Sequence, residues 1–229
     1  ALEDACISDE QFLSLCESIF ESRQKIYLRL LRNFREGVLA GIFDCLDRVQ
    51  HMFLRDREDI VFSWYERLDV FVGQIQAEIG KLGLEKHRFL VLSDHGFRPF
   101  DQKVHLNRWL VENNYMTLTK PVETGDLRNV DWQRTNAYGI GLNRLYLNVA
   151  GREGQGIVEA AGLEQLLDEL KTKLLHWKAP DGRNVVSKVG LKHEVFNGPY
   201  NRLGPDLVVG YAPGFRASSE TGLGKFAEH

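Results

Sequence analysis

The chain has 229 residues, enough for one large domain or two small ones, and at 43% apolar and 27% charged its composition is that of an ordinary globular protein. Basic and acidic residues nearly balance, 29 against 32 for a net charge of -3, so there is neither the basic footprint of a nucleic-acid binder nor a polybasic membrane patch. No apolar run approaches the roughly 18 residues of a membrane span, and the opening Ala1-Leu2-Glu3-Asp4-Ala5 lacks the regions of a signal peptide. With no initiator Met there, the expectation is that something upstream has been removed or left out. Cys6, Cys16 and Cys45 are odd in number and have no CxxC spacing, which reads as thiols in a reducing, cytoplasmic setting.

In chain order, Ser8-Asp9-Glu10-Gln11 has the form of a capping box. Phe12, Leu15, Ile19, Ile26, Leu30 and Phe34 then recur at near-helical spacing, and Gly37 is read as the end of that helix. Val38 to Phe43 is a short apolar run that predicts a buried strand. Ile60, Trp64, Leu68, Val72, Ile75 and Ile79 predict a second long helix over 56–82, with Gly83 as its C′ residue. Phe89-Leu-Val-Leu92 predicts another buried strand, followed by Ser93-Asp94-His95-Gly96.

Residues 105–113 read as a short helix closed by Asn114, and the polar stretch 117–135 as a surface excursion, an insertion around the site. Residues 138–149 alternate enough for a strand, weakened by Gly139, Gly141 and Asn143. Residues 162–177 form an amphipathic helix, 206–210 a last buried strand, and the tail from Ala212 reads as loop. Short apolar strands alternating with helices predict a mostly parallel sheet covered by helices on both faces, with ligands at the C-terminal strand ends.

That rule singles out the residues after Phe43 and after Leu92. Asp47 and His51 are four apart, on one face of a helical turn, and a carboxylate with an imidazole suits zinc, manganese or iron better than calcium. Asp94 and His95 are adjacent, so both reach one ion only if the backbone bends, a bend that Gly96 makes cheap. Each pair has a plain alternative. D-x-x-x-H is common on exposed helices, and Asp-His after a strand is often only a turn.

Elsewhere, His105 reads as packing on Trp109, and Arg48 as either a phosphate contact or a surface salt bridge. Asn107 and Arg108 are equally open. The four tryptophans are too dispersed for a stacking platform and read mostly as core. His87, His176 and His193 lack ligand-spaced partners, and Cys45 reads as a small buried hydrophobe.

Longer stretches resolve part of this. Val91-Leu-Ser-Asp-His-Gly-Phe97, His105-Leu-Asn-Arg-Trp-Leu110 and Asn114-Tyr115 closely resemble the alkaline phosphatase superfamily, in its type I phosphodiesterase/nucleotide pyrophosphatase-like branch. So do Asp47-Arg-Val-Gln-His-Met-Phe53, Thr135-Asn-Ala-Tyr138, Asn143-Arg-Leu-Tyr-Leu-Asn148, Gly151-Arg-Glu153, Gly198-Pro-Tyr200 and Pro205-Asp-Leu-Val-Val-Gly-Tyr211. Together they span nearly the whole chain in the family's order.

The resemblance implies an alkaline-phosphatase-like α/β fold and two divalent metal ions, zinc first and manganese or iron after it. It places Asp47 and His51 on one metal and Asp94 and His95 on the other, with a small-molecule phosphoester or nucleotide as substrate. A Thr or Ser nucleophile attacks phosphorus in line, and water hydrolyses the covalent intermediate.

The family's nucleophile segment, which carries another Asp ligand, lies N-terminal to the D-x-x-x-H segment, and residues 1–36 do not resemble it. The last His ligand belongs to a Gly-Asp-His-like segment, which the Ala-Glu-His context of His229 does not match. The expectation is therefore a partial catalytic domain over 1–229, its sheet incomplete, with two ligands per metal and little activity alone. Competing readings with the same fold are a phosphomonoesterase, a sulfatase or a phosphoglycerate mutase. A reading of another class is a non-catalytic scaffold that keeps the fold.

Overall fold

The computed structural model describes residues 6–83 and 86–225. Two compact units divide the chain, residues 1–99 and 100–229.

The first unit is built on three helices, α1 (Asp9–Asn33), α2 (Cys45–Phe53) and α3 (Glu58–Lys81). The capping box starts α1 as the sequence predicts: Ser8 Oγ accepts from the Gln11 N–H and the Gln11 side chain accepts from the Ser8 N–H. The helix ends at Asn33, before Gly37. Gly83 lies just past α3 with φ +62°, a left-handed conformation that glycine adopts without a Cβ clash. Helices α1 and α3 run parallel, because Glu17 pairs with Arg67, Gln24 with Gln74, and Arg32 with Glu78. Between the helices Phe20 meets Phe43, Trp64 and Phe71 edge-on at 5.7–5.9 Å between ring centroids. Cys16, Val49, Phe53, Val61 and Ile75 complete this core.

The two predicted strands of this unit are not formed among the described residues, and neither is buried. Segment 38–43 does alternate. Leu39 and Phe43 pack on the helices, and a Cβ on Gly41 would stand 2.6 Å from the Tyr27 ring, so the chain lies flush there. Its other face is open, with Val38 93% and Ile42 83% exposed. In segment 89–92 only Phe89 packs on the core, while Leu90, Val91 and Leu92 are all exposed. Burying a continuous apolar run takes cover on both faces and hydrogen-bonding neighbours, and the helices supply only one face.

The second unit carries both sheets. Strands β1 (Phe100–Val104) and β6 (Gly214–Ala217) pair in parallel. Strands β2 (Ala137–Gly139), β3 (Arg144–Leu147), β4 (Val186–Leu191) and β5 (Leu207–Tyr211) form an antiparallel sheet in the order β2-β3-β5-β4. Helices α4 (Leu106–Glu112) and α5 (Leu163–Leu175) pack on it: Leu106, Leu110, Leu170 and Leu174 are fully buried with Leu145, Leu147, Leu207 and Val209. Short elements α6 (Lys192–Val195) and α7 (Ser219–Gly222) complete the unit.

The α/β class stands, with three differences of detail. The parallel arrangement is confined to β1–β6; the larger sheet is antiparallel, with outward positions such as Arg144 and Lys188 exposed, as such a sheet allows. Residues 138–149 are a hairpin rather than one strand, because Gly141 at φ +80° turns the chain. The tail past Ala212 is not all loop, since β6 and α7 lie in it. The excursion 117–135 has two 3-10 turns and is tied in by the Leu118–Val130 bridge and buried Thr135.

Candidate metal centre

Helix α2 forms because Cys45, Val49 and Phe53, four apart, bury one stripe against α1 and α3. The same pitch turns Asp47 and His51 to the opposite, open side, with side chains 42% and 59% exposed. Past segment 89–92 the backbone bends at Asp94. Gly96 does not make this bend by a left-handed conformation, and a Cβ there would meet open space. The Ser93 hydroxyl instead donates to the His95 carbonyl and holds the turn.

The four candidate ligands come together within this unit. Asp47 Oδ2 lies 3.7 Å from His51 Nε2, and Asp47 Oδ1 lies 3.9 Å from His95 Nε2. Asp94 Oδ2 stands 3.5 Å from the same His95 nitrogen. Phe97 seats both imidazoles, edge-on to His51 at 4.8 Å and tilted to His95 at 5.5 Å. It belongs to the same Ser-Asp-His-Gly-Phe run, yet nothing in its sequence position announces this contact.

The donor chemistry fits a divalent cation. His95 Nδ1 lies 3.1 Å from the Gly96 carbonyl, which only accepts, so that nitrogen carries the proton. His95 Nε2 faces carboxylate oxygens of both Asp47 and Asp94, a mixed nitrogen–oxygen set that a divalent cation between them would suit. Separations of 3.5–3.9 Å are too long for good N–H···O bonds. They approach the roughly 3.3 Å between two ligands that each stand about 2 Å from a tetrahedral ion. Among the described residues no group of three or more His, Cys, Asp or Glu side chains is arranged to hold an ion by itself. The contacts run as a chain, Asp94–His95–Asp47–His51, instead of converging on one centre.

Arg48 points back along α2, donating from Nε at 3.2 Å and Nη2 at 3.0 Å to Asp44, which also pairs with Arg23. Partial burial pushes the Asp44 carboxyl up, but the two guanidiniums outweigh it and hold it below the usual carboxylate range. Cys16 and Cys45 are buried thiols, raised chiefly by that burial; Cys45 Sγ contacts the Cys16 carbonyl, as a small core residue would.

The remaining singled-out residues are structural. His105 is buried at the start of α4. Asn107 exchanges two hydrogen bonds with the Gly139 backbone, at 2.6 and 3.0 Å, and Arg108 donates to the Val122 and Glu123 carbonyls. Trp64 and Trp109 are core, and Trp132 and Trp177 pack on the core of the second unit. His176 caps α5 through Thr172, and His193 is exposed. His229 lies outside the described residues.

Sequence reasoning gave no role to the polar knot of the second unit. Asp206 accepts from Arg152 at 2.9 and 2.6 Å, from Lys192 at 2.7 Å and from the Leu147 N–H at 2.8 Å. Arg152 also pairs with Glu153, which accepts from Tyr138. These cations are fully engaged by carboxylates, so the knot ties strands together and offers no anion site.

The family model of type I phosphodiesterase / nucleotide pyrophosphatase matches residues 11–228, and the chain belongs to that family, whose members are hydrolases of phosphoesters. No curated protein and no solved structure matches it. Among the described residues no helix is long and apolar enough to cross a membrane.

Proposed function

We propose that this chain is the metal-binding portion of a phosphodiester or pyrophosphate hydrolase acting on a small-molecule phosphoester or nucleotide. Asp47 and His51 hold one divalent cation and Asp94 and His95 a second, with zinc ahead of manganese or iron for a mixed carboxylate–imidazole set. The observation that carries this is the placement of Asp47, whose two oxygens face His51 and His95 at 3.7 and 3.9 Å. Bound cations supply Lewis acidity toward the charge of a phosphoryl group. The chain's own residues set the stage: the His95–Gly96 contact fixes the tautomer, Phe97 seats both rings, and Asp94 stays open to solvent.

In this reading, the nucleophilic Thr or Ser and the remaining ligands come from further polypeptide of the same domain. Two ligands per ion fall short of the three or four of zinc sites. The same polypeptide covers Val38, Ile42, Leu90, Val91 and Leu92, which lead into the two ligand pairs and stand exposed here. The buried thiols Cys16 and Cys45 suit a reducing cytoplasm.

With millimolar Zn2+ or Mn2+ and bis-p-nitrophenyl phosphate, this chain alone should give little or no turnover. Robust metal-dependent turnover would overturn the division of labour. In the longer polypeptide hydrolysis should be abolished by Asp47→Asn and by His95→Ala; survival of activity in both would overturn the assignment of the site.

A further inference from the structure

Helix α2 has nine residues, too short to hold its own geometry, yet it must aim Asp47 and His51 at His95. We infer that Asp44 is a positioning residue for this centre, holding Arg23 of α1 and Arg48 of α2 so that Asp47 and His51 face His95. This rests on the metal reading above.

An Asp at a helix N-cap ordinarily accepts from the backbone N–H groups of the first turn. Ser8, Asp126, Asp131 and Ser218 all do so in this protein. Asp44 occupies the N-cap of α2 and makes no such bond. Its Oδ1 pairs with Arg23, and its Oδ2 takes both Nε and Nη2 of Arg48.

Two consequences follow. Arg23 also donates to the Ile42 carbonyl at 3.4 Å, so one guanidinium on α1 grips both the incoming chain and the first residue of the turn into α2. Arg48, meanwhile, is drawn one turn back from its sequence neighbour Asp47, leaving both Asp47 oxygens to the imidazoles.

The test compares Asp44→Asn with Glu17→Gln, which removes an α1–α3 ion pair of similar exposure. Two readouts apply: Zn2+ affinity from an NMR titration, and, without metal, the nuclear Overhauser contact between the His51 and Phe97 rings, whose centroids are 4.8 Å apart. Asp44→Asn should weaken Zn2+ binding roughly ten-fold, as loss of an outer positioning group does. It should also lose the His51–Phe97 contact while keeping that of His95 with Phe97. Glu17→Gln should change neither.

The inference is overturned if Asp44→Asn keeps the ring contact, or if Glu17→Gln loses it equally. If the unmutated chain binds no Zn2+, the metal reading fails by itself, and the ring contact still decides the role of Asp44.

Discussion

The two units differ in how far their apolar sequence is satisfied. In the second, the described strands have partners, and the inward leucines and valines of β3 and β5 are fully buried under α4 and α5. In the first, two apolar runs of similar composition lie open, with Leu92 at 84% and Ile42 at 83% exposure. The difference teaches that apolar content and structural completeness are separate properties. A run such as Phe89-Leu-Val-Leu92 encodes a strand only where neighbours exist to take its hydrogen bonds and cover its faces. In this protein the uncovered runs are the ones that lead into the candidate metal ligands.

The contrast can be broken most forcefully in the second unit. Asp206→Ala leaves Arg152 and Lys192 without their carboxylate and strands the Leu147 N–H, a loss of about 3–5 kcal/mol for a partly buried, fully hydrogen-bonded charge cluster. Urea unfolding followed by far-UV circular dichroism should show it, and a change under about 1 kcal/mol would mean the knot is ornamental.

Asn107→Ala comes next, at about 2–3 kcal/mol, because the buried N–H and C=O of Gly139 both lose their partner. The same unfolding measurement checks it.

Acid should bear on the second unit through the same Asp206. Burial pushes its carboxyl up, but the hydrogen bonds from Arg152, Lys192 and the Leu147 N–H win, so it sits below the ordinary aspartate range. The folded state thus holds the proton less tightly than the unfolded one. This stabilisation is complete above the unfolded value of about 3.9 and is lost as the pH falls below it. Asp206→Asn should flatten stability against pH in that acidic window while costing stability at neutral pH; an unchanged slope would contradict the assignment.

The smallest effect belongs to the first unit. Ile42→Ser and Leu92→Ser remove exposed side chains and should shift stability by no more than about 0.5 kcal/mol. A loss several times larger would show that these runs are buried in solution and would erase the contrast between the units.

Much of this was legible in the sequence, for reasons that can be named. The capping box at Ser8, the periodicity of α1, α3 and α5, and the i, i+4 placement of Asp47 and His51 are local, and local rules decide them. The family was legible because its motifs run in order through the chain. The antiparallel sheet was not, since β4 has weak alternation and pairs with β5 only through tertiary contact. The tail strand β6 was missed because its pairing with β1 spans more than a hundred residues. At the site, the candidate ligands could be named from the sequence, but the contacts made by Phe97, Ser93 and Asp44 depend on how separate segments meet.

The most direct test of the central claim is a Zn2+ titration of the isotopically labelled chain, followed on the histidine ring signals. The account predicts that His51 and His95 both shift saturably, with weak affinity, while His105, His176 and His193 stay in place. No shift at His51 and His95, or a response confined to the other histidines, would contradict it.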